Sequence, residues 1–276
     1  MALSTPNQRL VDESATNFGT GSWETGSIEP SANSLLVIVV CCVVVGAGIP
    51  GELDTPTGGS LTYTRRHQKS FNNGISIGAT YEMWTAPVET PPASLTLTFQ
   101  ESTGKSIFTW NAQVFDFTGY DTTTPIGTTG SDDALEDAGS FNLDATPAAS
   151  SIVVASRYTI PADGSGQTAT PATGWTEIYD QQPASSGSSL QTQYRGSSTS
   201  QSVDWDDTYQ TTPTTNCNVG IAAEIQVAGA AGAVRATGKG LTESRLLTRT
   251  QLVGRPAMPM GYACHAGLCV PERLTA

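Results

Sequence analysis

Charge is scarce in this chain, and positive charge scarcest: Lys and Arg number 13 against 25 Asp and Glu, and charged residues make up 14% of 276. With a net charge of −12 there is no general basic surface to spread over phosphates, so a nucleic-acid binder is not expected. Histidine is nearly absent. His67 and His265 are the two available to a nucleophile–His system, and neither sits in a setting that suggests a triad. His67 lies in Arg65-Arg66-His67-Gln68-Lys69, which reads as a polar turn. No G-x-S-x-G elbow, phosphate loop or dinucleotide fingerprint occurs.

A membrane-length apolar run is also missing. Leu35–Val45 holds 11 apolar residues, where a spanning helix needs about 20. Seven of the 11 are Val or Ile, which favour strands. The preceding segment carries Asp12, Glu13, Glu24 and Glu29 beside Arg9, unlike the positive start of an export signal. The run therefore reads as a strand covered on both faces, and neither a signal peptide nor a membrane span is expected.

The five cysteines form no framework. Cys41 and Cys42 are neighbours, Cys217 stands alone, and only Cys264 and Cys269 have a pairable spacing, as a disulfide or as two thiols. An odd count points to synthesis in a reducing cytoplasm. Cys264, His265 and Cys269 offer three soft ligands where zinc takes four, so no metal and no cofactor are expected.

What is abundant is Gly, Pro, Ser and Thr between short apolar stretches, the pattern of strands joined by turns. The pattern also repeats. Pro30-Ser31-Ala32-Asn33-Ser34-Leu35-Leu36-Val37 is answered by Pro147-Ala148-Ala149-Ser150-Ser151-Ile152-Val153-Val154, and Asn111–Gly119 by Asn218–Gly229. Tyr81 is matched with Tyr194. Each half yields strands in the same order, near 34–46, 60–66, 76–86, 94–100 and 107–118, then 150–160, 174–180, 188–195, 201–206 and 216–227. The expected fold is all-β: one two-sheet antiparallel sandwich of jelly-roll type over 20–229, with pseudo-repeats at about 20–119 and 139–229. An N-terminal arm, 1–19, and an extended basic C-terminal arm, 230–276, flank it. The stretch 119–140 reads as a loop.

Chemistry-bearing groups are few. Glu82, Glu101, Asp116 and Glu224 supply carboxylates for a glycosidase-like pair, but any β-sandwich has such residues, and no catalytic set is expected. The acidic stretches Ser131–Asp137 and Asp204–Asp207 lack the spacing of a calcium loop and read as solvated. Trp84 and Trp175 are the candidates for a glycan-stacking platform, against the commoner fate of core packing.

Four segments carry a resemblance. Trp23-Glu24-Thr25-Gly26-Ser27-Ile28-Glu29-Pro30-Ser31-Ala32-Asn33-Ser34-Leu35-Leu36-Val37 with Leu61-Thr62-Tyr63, and Tyr81–Pro87 with Val114–Gly119, resemble β-sandwich minor structural proteins of tailed bacteriophages. The restart at Pro147–Val154 fits the same strand order. The resemblance covers roughly 20–229 and is one of strands and turns. It implies a non-enzymatic virion component (head-decoration, minor tail or fibre-like) made in the host cytoplasm. Its partners would be other virion proteins, including further copies of itself. The alternative is a carbohydrate- or receptor-binding module meeting a host surface glycan.

Charge divides the chain at the same place as the fold. Residues 1–228 hold seven Lys/Arg and 23 Asp/Glu, a net of −16, and residues 229–276 hold six and two, a net of +4. In the C-terminal arm, Arg235, Lys239, Arg245, Arg249 and Arg255 alternate with apolar Leu246 and Leu252. These are the expected docking residues for a neighbouring acidic surface.

Overall fold

A computed structural model describes residues 3–13, 21–45, 51–72, 77–105, 107–132, 139–160, 169–181, 189–196, 198–206, 217–228, 262–265 and 268–271. Its described elements are all strands. The first half contributes β1 (Asn7–Glu13), β2 (Ser22–Glu24), β3 (Ser34–Val45), β4 (Thr64–Asn72), β5 (Ile77–Val88), β6 (Thr98–Gln100) and β7 (Thr109–Thr118). The second contributes β8 (Ile126–Asp132), β9 (Ser140–Asn142), β10 (Ile152–Ile160), β11 (Thr176–Gln181), β12 (Ser189–Gly196), β13 (Ser202–Asp204) and β14 (Cys217–Ile225). Two further strands, β15 (Tyr262–His265) and β16 (Leu268–Pro271), belong to a separate C-terminal unit, Val234–Ala276. Among the described residues, no helix is long and apolar enough to cross a membrane.

The expected two-sheet antiparallel sandwich is formed. One five-stranded sheet runs β1-β7-β3-β5-β4, the other β11-β12-β10-β14-β8. Adding seven to each label of the first sheet gives the second, read from the other end. The small ribbons obey the same rule, since β2 pairs β6 and β9 pairs β13. The pseudo-repeat is thus a repeat of topology as well as of phrases.

Strand alternation assigns the faces. On β3, Leu35, Val37, Val39, Cys41 and Val43 point into a central core. There they join Tyr81, Met83, Phe115 and Phe117 against Ile152, Val154, Tyr158, Leu190, Val219, Ile221 and Ile225 of the second sheet. Leu36, Ile38, Val40, Cys42 and Val44 point the other way, into an outer core roofed by β2, β6 and nearby loops through Leu53, Leu95, Leu97 and Phe99. The second sheet has its own outer core, with Phe141, Val153, Ala155, Trp175, Val203 and Trp205. The apolar run needed cover on both faces, and over Leu35–Val44 these two cores supply it.

Polar contacts also cross the central core. Tyr81 donates its hydroxyl proton to Ser156 Oγ, Asn111 Nδ2 donates to Tyr158 Oη at 3.3 Å, and Gln113 Nε2 donates to the Leu190 carbonyl at 2.6 Å. These contacts fix how the two sheets register.

Four expectations change. Asn7–Glu13, expected in an arm, is an edge strand paired to β7, held by Arg9 Nε on Asp116 Oδ2 at 2.8 Å. Part of 119–140, expected as loop, is the matching edge strand β8 on β14. Arg65–Lys69, expected as a turn, lies within β4, where a bulge between Arg65 and His67 lets polar side chains line an edge strand. Tyr81 does not match Tyr194. Leu35 faces Pro87 and Ile152 faces Gly196, so counting back from these puts Leu190 at the repeat position of Tyr81.

Candidate functional site

The four carboxylates singled out in the sequence are the buried ones among the described residues, each no more than 1% exposed. All four accept hydrogen bonds from loop backbone. Asp116 Oδ2 accepts from Ser31 N at 2.6 Å, just ahead of β3. Glu224 accepts from Ala148 N at 2.7 Å, just ahead of β10, and from Thr128 N at 2.8 Å. These two are counterparts. Ser34 Oγ donates to the Ser31 carbonyl at 2.7 Å, and Ser151 Oγ to the Ala148 carbonyl at 2.6 Å, so the same turn is built twice around a buried acid.

Glu101 gathers Gly51 N at 2.6 Å, Thr103 N at 3.0 Å and Lys105 N at 2.9 Å, and also takes the Thr103 hydroxyl. Burial alone would raise its pKa. The Thr103 hydroxyl and these three N–H groups outweigh burial and hold it below the ordinary carboxylate value.

Glu82 is the chemically richest of the four. Its Oε1 accepts from Leu53 N at 2.9 Å and faces Arg65 Nη1 at 3.4 Å, while Oε2 accepts from Trp84 Nε1 at 2.8 Å. Arg65 continues outward to Glu52 Oε2 at 2.8 Å, and its guanidinium carbon lies 5.7 Å from the centre of the Trp84 ring. Burial pushes the Glu82 carboxyl up to about 7, although Leu53 N, Arg65 and Trp84 all favour its ionised form. Burial, followed by the charges of Glu82 and Glu101, pushes the Cys42 thiol up in the same outer core. This cluster of Glu52, Arg65, Glu82 and Trp84, with Cys42 and Glu101 near it, is the candidate site. Sequence reasoning had Glu82 and Trp84 as unconnected candidates and missed Arg65, because it placed Arg65 in a turn.

The second half carries different residues at the matching places. Leu53 bridges Glu101 in the first half, and Pro171 bridges Trp205 in the second, so an indole stands where Glu101 stands. Glu82 is opposite Val40, and Gln191 is opposite Arg157 at the matching place of the repeat. Trp205 Nε1 then donates to Gln191 Oε1 at 2.6 Å. A neutral amide and an indole replace two carboxylates, and the Arg157 guanidinium carbon sits 5.7 Å from the Trp205 ring centre. Asp204–Asp206, read as part of a solvated loop, thus brackets a residue only 2% exposed.

Trp84 and Trp175 do not make a stacking platform. They lie in different outer cores, 3% and 8% exposed, and the Arg195 guanidinium carbon lies 4.4 Å from the Trp175 ring centre. A sugar needs an open ring face. The expected docking residues Arg235, Lys239, Arg245, Leu246, Arg249, Leu252 and Arg255 lie outside the described residues.

The body's surface is more one-sided than its composition. Glu24, Glu29, Glu52, Asp54, Glu89, Asp144, Glu177 and Asp206 are exposed. Every Lys and Arg of the body is buried or half-buried: Arg9, Arg65, Arg66, Lys69, Lys105, Arg157 and Arg195. Tyr179, at 38%, is the one exposed large hydrophobic among the described residues. The chain matches no protein-family model, no curated protein and no solved structure.

Proposed function

We propose that this protein is a non-enzymatic assembly subunit whose acidic β-sandwich body receives the basic C-terminal segment of a neighbouring copy. The observation that carries this reading is the separation of charge. The body's cations are all buried or half-buried while eight of its acids are exposed, and the six cations of 229–276 follow in the same chain. With one exposed large hydrophobic among the described residues, complementary charge is the recognition the body's surface offers. The buried carboxylates support the same reading, because they are spent on fixing loops around the sheets.

The setting we propose is the virion of a tailed bacteriophage, as a head-decoration, minor tail or fibre-like protein. This rests on the resemblance of residues 20–229. The test has two arms. Light scattering of the purified chain across a salt series should show assembly that weakens as salt rises, and R245E/R249E/R255E should abolish it. Assembly that ignores both salt and charge reversal would refute the docking mode. In particles, deletion of 230–276 should leave the body folded and absent from the virion; normal occupancy would refute the role of the segment.

A further inference from the structure

The five thiols are not equivalent once the fold is known. Cys41 and Cys42 are consecutive on β3, fully buried, and enter opposite cores, so neither can reach the other. Cys217 opens β14 opposite Ile160, with no cysteine across the pair. In the C-terminal unit, β15 and β16 form an antiparallel hairpin whose register runs Tyr262 to Pro271, Ala263 to Val270, Cys264 to Cys269 and His265 to Leu268. Two cysteines separated by four residues thus become direct cross-strand partners.

The register also says which kind of partners they are. His265 and Leu268 flank the two connecting residues, Ala266 and Gly267. In a hairpin closed by two residues, the flanking pair exchanges the hydrogen bonds, and the next pair takes the non-hydrogen-bonded place. At such a place the Cα atoms stand about 4.5 Å apart, within the range of about 4.4–6.8 Å that disulfides span. Directly opposed residues share one face of a ribbon. A two-stranded ribbon on its own is marginal in water, so a covalent bond at this rung would stabilise it.

We propose that Cys264 and Cys269 are a redox-active pair that closes a cross-strand disulfide when the chain meets a disulfide oxidant such as oxidised glutathione. One thiolate attacks a glutathione sulfur and releases one glutathione thiolate. The second thiolate attacks the resulting mixed disulfide and releases the other. Two protein thiols lose two electrons and two protons, and one oxidised glutathione becomes two reduced ones. In a reducing compartment the pair stays open. This inference is independent of the assembly reading, because it needs only the hairpin register.

The test is to equilibrate the full chain in a glutathione redox buffer, quench with acid, alkylate free thiols and map tryptic peptides. Both cysteines fall in Thr250–Arg273, which holds no other. An internal partner at an effective concentration of about 1 mM or more should outcompete ~0.1 mM glutathione about tenfold. The peptide should therefore lose alkylation at both positions together and carry no glutathione. C264S and C269S should each carry a glutathione adduct on the remaining cysteine, and C217S should change nothing. Two adducts on the wild-type peptide, two alkylated thiols, or a bond to Cys217 or to a second chain would each overturn the proposal.

Discussion

Replacing Glu82 with glutamine should remove a pH dependence that the wild-type body carries. A free carboxyl titrates near 4.5, and burial raises Glu82 to about 7. The folded state therefore holds this proton more tightly than the unfolded chain. The stabilisation is complete below about 4.5 and disappears as pH rises through about 7. A move of that size corresponds to roughly 3 kcal/mol lost between pH 4.5 and 7, with a plateau above. Neighbouring groups do not confuse the reading. Burial pushes the Cys42 thiol up, and Glu101 is held below the ordinary value. Burial would lower Arg65, but its carboxylate neighbours Glu52 and Glu82 outweigh that and push it upward. The amide introduced by E82Q cannot accept from both Leu53 N and Trp84 Nε1, because only one of its two terminal atoms is an acceptor. The variant should thus be less stable than wild type by about 1–3 kcal/mol at pH 5, the cost of one orphaned donor. At pH 8 the wild type has lost its ~3 kcal/mol and the variant has not, so the deficit should vanish or reverse. Urea unfolding followed by tryptophan fluorescence at both values reads this directly. A wild-type-minus-variant difference that is the same at pH 5 and pH 8 would refute the argument.

Glu224→Ala strands the N–H groups of Thr128 and Ala148, and should cost on the order of 3 kcal/mol in chemical denaturation; an unchanged midpoint would deny the acid its anchoring role. Tyr81→Phe removes the hydroxyl shared with Ser156 between the sheets, and should cost about 1 kcal/mol with little change in urea sensitivity per molar. At Gly130 a Cβ would lie 2.5 Å from the Asn142 carbonyl oxygen and 2.9 Å from Leu143 Cα. Gly130→Ala must therefore push β8 off the end of β9, with a loss of roughly 1–3 kcal/mol visible as a lower thermal midpoint.

Much of the fold was legible because it is written in period two and written twice. Leu35–Val45 announced a doubly covered strand, and Ser34/Ser151 with Pro30/Pro147 announced its second copy. The edge strands were not legible. Asn7–Glu13 carries Asn, Gln, Arg, Asp and Glu, and is a strand because β7 offers it an open edge, with Asp116 taking Arg9. Ile126–Asp132 is rich in Gly, Thr and Ser, and it is a strand for the same reason, with β14 as the open edge. The candidate site depends on packing that no local pattern encodes. Arg65 meets Glu82 only because β4 pairs with β5, and the equivalence of Glu101 with Trp205 appears only when the bridges from Leu53 and Pro171 are compared. For the two tryptophans sequence left a platform open beside the commoner fate of core packing, and it is the core that holds both.

The central core has a consequence for how such a chain could have arisen. Leu35, Val37, Phe115 and Phe117 of one half meet Ile152, Val154, Ala223 and Ile225 of the other, and these occupy equivalent places in the repeat. Each half therefore buries the same face that its partner buries. A lone half would expose that entire apolar sheet to water, so an ancestral half-length protein would have existed as a homodimer. Tandem duplication of its gene would have joined the two subunits in one polypeptide. The two halves differ most plainly where Glu82 and Glu101 of one stand against Gln191 and Trp205 of the other.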